Sequence, residues 1–139
     1  MITAERYHDI SCGHRVVGHE SKCKHLHGHN YRIHFAIVAE ELDGVGRVLD
    51  FSVIKETLCM YLEREWDHKM LIWTEDPLLP ALRELDPEGI CVVPFNPTAE
   101  NMASYLLHTV GPRLLAPHHC RLHTCRIEET RKCSATATL

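Results

Sequence analysis

A chain of 139 residues with 45% hydrophobic content holds enough apolar material for one core, and two independent domains would each be small. Its net charge of −4 argues against a nucleic-acid surface, which shows clustered Lys and Arg. Seven cysteines cannot all pair within one chain, so reduced thiols are expected rather than a disulfide scaffold. No apolar run reaches the roughly 18 residues that a membrane span needs, and Met1-Ile2-Thr3-Ala4-Glu5-Arg6 lacks the basic-then-apolar pattern of a leader. The expectation is a cytoplasmic protein with no membrane contact, forming one domain over residues 1–139.

In chain order, Cys12-Gly13-His14-Arg15-Val16 comes first, a short segment able to pair with a strand further on. Cys23-Lys24-His25-Leu26-His27-Gly28-His29 follows, with a thiol beside alternating imidazoles. In an extended strand His27 and His29 share a face, their Cα atoms roughly 6.6 Å apart, so both rings can reach one metal ion. His25 has the same parity but lies about 13 Å from His29, near the limit of what two side chains bridge. A third ligand must come from elsewhere: His14 is the candidate and His19 the fallback. Three neutral histidines on zinc leave a fourth position open for water or substrate, the mark of catalytic zinc. The competing arrangement is a closed structural site with Cys23 as the fourth ligand.

Tyr31 to Ala39 alternates as a strand, with Tyr31, Ile33, Phe35 and Ile37 on one face and Arg32 and His34 on the other. His34 then points away from His29 and reads as a hydrogen-bonded sheet histidine. After the Asp43-Gly44-Val45-Gly46 turn, Arg47 to Phe51 reads as a strand leading into a helix capped by Asp50 or Ser52. Ile54, Leu58, Tyr61 and Leu62 recur at helical spacing, and the helix should end before Trp66-Asp67-His68. Trp73 to Pro97, rich in proline, reads as a structured loop with a brief helical turn. Thr98 is a good N-cap for a second helix carrying Met102, Tyr105, Leu106 and Val110, which Gly111-Pro112 should weaken or end. His118 to Thr138 is consistent with two final strands joined near Arg131 to Cys133.

Cys23-x3-His27-Gly28-His29, the upstream His14, Asp67-His68, Asn96-Pro97-Thr98-Ala99-Glu100-Asn101 and Glu128-Glu129-Thr130 occur in this order over nearly the whole chain. That series resembles the 6-pyruvoyltetrahydropterin synthase-like enzymes. The short Cys-x3-His-Gly-His spacing looks most like the bacterial 6-carboxytetrahydropterin synthases of queuosine biosynthesis. One stretch departs from the family: Ile10-Ser11-Cys12-Gly13-His14 stands where Phe-x-Ala-Ala-His is usual.

The resemblance implies an α+β tunnelling fold, in which a four-stranded antiparallel sheet carries two helices on one face and subunits close their sheets into a barrel. It further implies a homohexamer built from trimers, with active sites at subunit boundaries. The implied reaction is zinc-dependent conversion of 7,8-dihydroneopterin triphosphate to 6-carboxytetrahydropterin, acetaldehyde and triphosphate. His14, His27 and His29 would hold Zn2+. Cys23, Asp67 and His68 would form the acid/base set, and Glu129 would bind the pterin ring. Two other functions stand beside this one: 6-pyruvoyltetrahydropterin synthesis, and a non-catalytic zinc-stabilised binding module.

Overall fold

The computed structural model describes residues 1–139, and its longest pairing is local. Strands β1 (Ala4–His14) and β2 (His27–Val38) run antiparallel in unbroken register from Ala4 opposite Ile37 to His14 opposite His27. Alternation along β2 sends Tyr31, Ile33, Phe35 and Ile37 into the core, each at most 1% exposed, while Arg32 and His34 lie on the other face, as expected. His34 there makes a 2.6 Å contact with Glu128, a hydrogen-bonded sheet histidine.

The sheet has six strands rather than four, in the order β4-β3-β1-β2-β5-β6. The antiparallel unit β1-β2-β5-β6 is present, with β5 at Arg121–Glu128 and β6 at Ser134–Thr138. Two short strands, β3 (Met70–Trp73) and β4 (Ile90–Val93), extend it beyond β1 and pair in parallel. Met-Leu-Ile-Trp and Ile-Cys-Val-Val are continuous apolar runs without alternation, the pattern of strands covered on both faces. They lie at the edges of the region expected to be a structured loop.

Helix α1 runs Phe51–Ile54, through a π-helical turn at Lys55–Cys59, to Met60–Glu65. Asp50 caps it, its carboxylate accepting from the Ser52 amide at 2.8 Å. No strand precedes the cap. The Asp43 side chain accepts from the amides of Val45 and Arg47 and from the Arg47 guanidinium, so these groups close a turn instead of joining a ladder. A short α2 (Leu79–Leu85), with Pro80 in its first turn, is the brief helical segment expected before β4.

Helix α3 starts at the Thr98 cap and runs Ala99–Tyr105, a π turn at Leu106–Val110, then Gly111–Leu115. Gly111-Pro112 therefore does not end it. The π turn lets the Gly111 amide bond to the Leu106 carbonyl, and Pro112 opens the following α turn, where a missing N–H costs little. The two long helices share one core with the sheet: Leu58, Leu62, Trp66, Met102, Leu106 and Leu115 pack with Phe35, Ile37, Cys125 and Ile127. No helix is long and apolar enough to cross a membrane.

Candidate metal centre and active site

The end of the β1–β2 ladder brings His14 opposite His27 and Cys12 opposite His29. Residues opposite one another share a face, so the three imidazoles gather above the same end of the sheet. Ring centroids lie 4.5 Å apart for His14 and His27, 4.9 Å for His27 and His29, and 5.2 Å for His14 and His29. One nitrogen from each lies within 4.8 Å of the others. Gly28 permits this approach, because a Cβ there would sit 3.1 Å from the Cys12 carbonyl oxygen.

Two tautomers are set by carbonyls, which can only accept. His14 Nδ1–H donates to the Pro97 carbonyl at 2.6 Å, and His27 Nδ1–H donates to the His25 carbonyl at 2.7 Å. In the neutral rings both Nε2 atoms then carry lone pairs, and these face each other 3.0 Å apart. Two bare acceptors at that distance repel unless a cation lies between them. Nitrogens sharing a tetrahedral zinc at about 2.0–2.1 Å stand roughly 3.3 Å apart. His29 Nε2 is buried with no hydrogen-bond partner. The donor set therefore fits zinc, with the second-layer carbonyls typical of metal-binding histidines.

Burial pushes the imidazolium form of His14 out of favour, outweighing the Pro97 carbonyl and the Glu129 charge, so its pKa falls below the ordinary value. His29 shifts the same way, again mainly through burial. Both rings are thus biased to the neutral, metal-binding form. A Glu129 carboxylate oxygen lies 3.5 Å from His14 Nε2 and 3.7 Å from His29 Nε2. With neutral rings at those distances, these are contacts rather than ion pairs. Glu128 turns to the opposite face, toward His34 and Arg126.

Asp67 and His68 follow the end of α1. Asp67 Oδ1 accepts from the Ser11 amide at 2.9 Å, and Oδ2 lies 2.8 Å from His68 Nδ1. Burial pushes the Asp67 carboxyl up, but the Ser11 amide and His68 together outweigh it and hold the group below its usual range. The His68 ring is 81% exposed. Both residues line a groove of about 890 Å³ that also takes in His29, Tyr31, Glu129 and, at its rim, Glu128.

Cys23 does not line that groove. It is half-buried on a 3₁₀ turn, Lys22–Lys24, in the connection between β1 and β2. His19, on the same connection, binds the Ser21 amide and is not part of the histidine cluster. Cys12, directly under His29 in the ladder, is 5% exposed, and burial pushes its thiol up to about 12.

Sequence reasoning flagged Asn96 and Pro97 only as part of a motif. In the fold Asn96 clamps Val17 through both its amide groups, and Pro97 fixes the His14 tautomer. Arg15 and Asp76 carried no sequence signal at all; they form a buried ion pair beside the Cys23 turn.

Fold and site define an α+β protein with a three-histidine centre set where its longest strand pair ends. A family model described as 6-pyruvoyl tetrahydropterin synthase matches residues 3–138, and the chain belongs to that family. A Rickettsia felis protein named 6-carboxy-5,6,7,8-tetrahydropterin synthase is 31% identical over 134 residues, covering 96% of this chain and 97% of the relative. A Halobacterium salinarum protein named as a probable enzyme of the same kind is 36% identical over 111 residues, covering 77% and 70%. Among solved structures, an uncharacterized Wolinella succinogenes protein superposes with a TM-score of 0.86 at 25% identity, covering 99% of this chain and 97% of that one. The 6-pyruvoyl tetrahydropterin synthase of Caenorhabditis elegans gives 0.66 at 25% identity, covering 99% and 95%. The fold is thus the tunnelling fold of the family, with two additional short strands beyond the four expected.

Proposed function

We propose that this chain converts 7,8-dihydroneopterin triphosphate to 6-carboxy-5,6,7,8-tetrahydropterin, releasing acetaldehyde and triphosphate, in queuosine and 7-deazapurine biosynthesis. It is an enzyme of the 6-carboxytetrahydropterin synthase type, a carbon–carbon lyase. The observation that carries this reading is the meeting of His14, His27 and His29, with a Glu129 oxygen 3.5 Å from His14 Nε2 and 3.7 Å from His29 Nε2, in a chain whose relatives bear that enzyme's name.

His14, His27 and His29 would hold Zn2+. Zinc bound there would supply Lewis-acid chemistry toward the substrate hydroxyls. Cys23, as thiolate, takes a proton from the pterin side chain. Asp67 orients His68, so the pair can return a proton on the other side of the substrate. Glu129 accepts hydrogen bonds from the guanidine-like edge of the ring, an acceptor-only group matched to a donor-only edge. Cys23 lies outside the groove that Asp67 and His68 line, which favours a site completed on assembly. The reading therefore includes a homohexamer built from trimers, whose sheets close into a barrel and satisfy the exposed edges of β4 and β6. One cytoplasmic domain over residues 1–139 carries the activity.

Incubating zinc-loaded protein with 7,8-dihydroneopterin triphosphate and weighing the products tests this directly. A 6-carboxytetrahydropterin mass together with acetaldehyde is expected. A product that retains all side-chain carbons would make the enzyme a 6-pyruvoyltetrahydropterin synthase. No turnover by fully loaded oligomer would leave a zinc-stabilised binding module.

A further inference from the structure

The connection between β1 and β2, residues 15–26, carries Cys23 and has little structure of its own beyond one 3₁₀ turn. Its position is set by a contact between its first residue, Arg15, and Asp76 from a distant part of the chain. Arg15 donates through Nε and Nη2 to the two oxygens of Asp76, at 2.7 and 3.0 Å, and through Nη1 to the carbonyl of Lys24 at 2.9 Å. The Asp76 side chain is fully buried and that of Arg15 is 15% exposed. The Val16 amide meanwhile binds the Cys23 carbonyl at 2.9 Å.

The backbone carbonyls of Cys23 and Lys24 are thus taken by the Val16 amide and the Arg15 guanidinium. Asp76 also accepts from the Leu78 amide, which anchors the pair to the entry of α2.

A buried ion pair is a weak source of net stability, because removing both charges from water offsets most of their attraction. Its strength is geometric. A guanidinium presents its donors in a rigid plane, so fixing two of them on Asp76 fixes the direction of the third. That third donor holds the Lys24 carbonyl, one residue from the thiol.

We propose that Arg15, locked by Asp76, is a positioning residue for the Cys23 thiol. This inference rests on the reading of Cys23 as the proton-abstracting group. Arg15 touches neither substrate nor metal in this role; it holds the turn so that Sγ meets the pterin side chain at a fixed distance. Misplacing a reacting group by about 1 Å can cost roughly a hundredfold in rate.

The test is Arg15→Lys in the zinc-loaded full chain. The ammonium still neutralises Asp76 but cannot reproduce the planar three-way fork. The expected result is a fall in kcat of roughly tenfold to a hundredfold, with KM held within about threefold. Zinc content and melting temperature should match the parent. Iodoacetamide labelling of Cys23, followed by peptide mass analysis, should run at least about threefold faster because the turn opens more often. If Arg15→Lys does not fold, Asp76→Asn, which keeps shape and the Leu78 cap, is expected to change the same readouts in the same direction. Parent-like kcat and labelling in folded, zinc-loaded variants would overturn the proposal. So would a loss of zinc that accounts for the loss of activity, since Arg15 would then act through the adjacent His14. Full activity in Cys23→Ala would remove the catalytic reading of Cys23, while faster labelling in Arg15→Lys would still establish the clamp.

Discussion

Asp67 and His68 are neighbours in sequence whose side chains meet, Oδ2 to Nδ1 at 2.8 Å, because His68 adopts a positive φ of 60°. Consecutive residues of a helix cannot face each other, so the contact needs a backbone that has left α1. The Asp67 amide still closes onto Leu62, while the His68 amide turns to the Ser11 carbonyl of β1, at 2.7 Å. The left-handed conformation of His68, unfavourable for a side chain with a Cβ, is held by these two anchors.

His68→Gly separates backbone from chemistry. Glycine adopts positive φ freely, so stability should hold or rise by about 1 kcal/mol. Removing the imidazole should slow turnover by roughly a hundredfold or more. Denaturant melts beside steady-state rates check both; unchanged turnover would take His68 out of the acid/base set.

The Asp67 carboxyl has a lowered pKa in the folded state, so its ionisation stabilises the fold above the unfolded value and that contribution fades as pH falls through the folded value. The parent should therefore be more stable than Asp67→Asn at pH 7, and the gap should narrow below about pH 4. Melts of both proteins from pH 7 to 3 measure this. A gap that stays constant or widens toward acid would contradict the assigned direction.

Metal content is expected to depend on the three clustered histidines and on no other. His14→Ala, His27→Ala and His29→Ala should each bind far less zinc, while His19→Ala keeps a parent-like load. Elemental analysis after dialysis is the measurement. Retained zinc in His14→Ala would leave the facing lone pairs of His14 and His27 unexplained.

Cys23→Ala should abolish turnover with zinc still bound, whereas Cys12→Ala should remain active. Cys12 is buried in the ladder, with its thiol held protonated far above neutral pH, a poor base there. Loss of zinc in Cys23→Ala would instead favour a closed site with sulfur as the fourth ligand.

Glu129→Gln preserves shape while presenting an amide hydrogen to the donor edge of the pterin. Charge-assisted hydrogen bonds contribute about 1.5–3 kcal/mol, so analogue affinity should fall roughly tenfold to a hundredfold. Glu128→Gln, on the opposite face with His34, should bind like the parent. Titration of both variants decides it, and a reversed order would mean that Glu128 is the pterin ligand.

Much of this molecule was legible in local pattern. Two-residue alternation places Tyr31, Ile33, Phe35 and Ile37 on the core face and keeps Arg32 and His34 off it. The Thr98 and Asp50 caps act within three residues, so local sequence points to the start of α3 and narrows that of α1 to Asp50 or Ser52, between which the fold selects Asp50. The shared face of His27 and His29 likewise follows from strand parity.

What local pattern missed depends on partners distant along the chain. Met70 to Trp73 and Ile90 to Val93 become strands only because β1 offers an edge and the parallel pair is covered. Helix α3 passes Gly111-Pro112 because a π turn accommodates them, and the missing Cβ of Gly111 leaves room for the Leu122 side chain. The His14 tautomer depends on a carbonyl 83 residues away, and Arg15 meets Asp76 across 61. Periodicity and capping are properties of a few consecutive residues, so the sequence by itself determined the core-facing alternation of β2, the starting regions of the long helices and the histidine pair. Convergence of His14 with that pair, the direction of Glu129 and the placement of Cys23 are long-range contacts, and only the folded chain decided them.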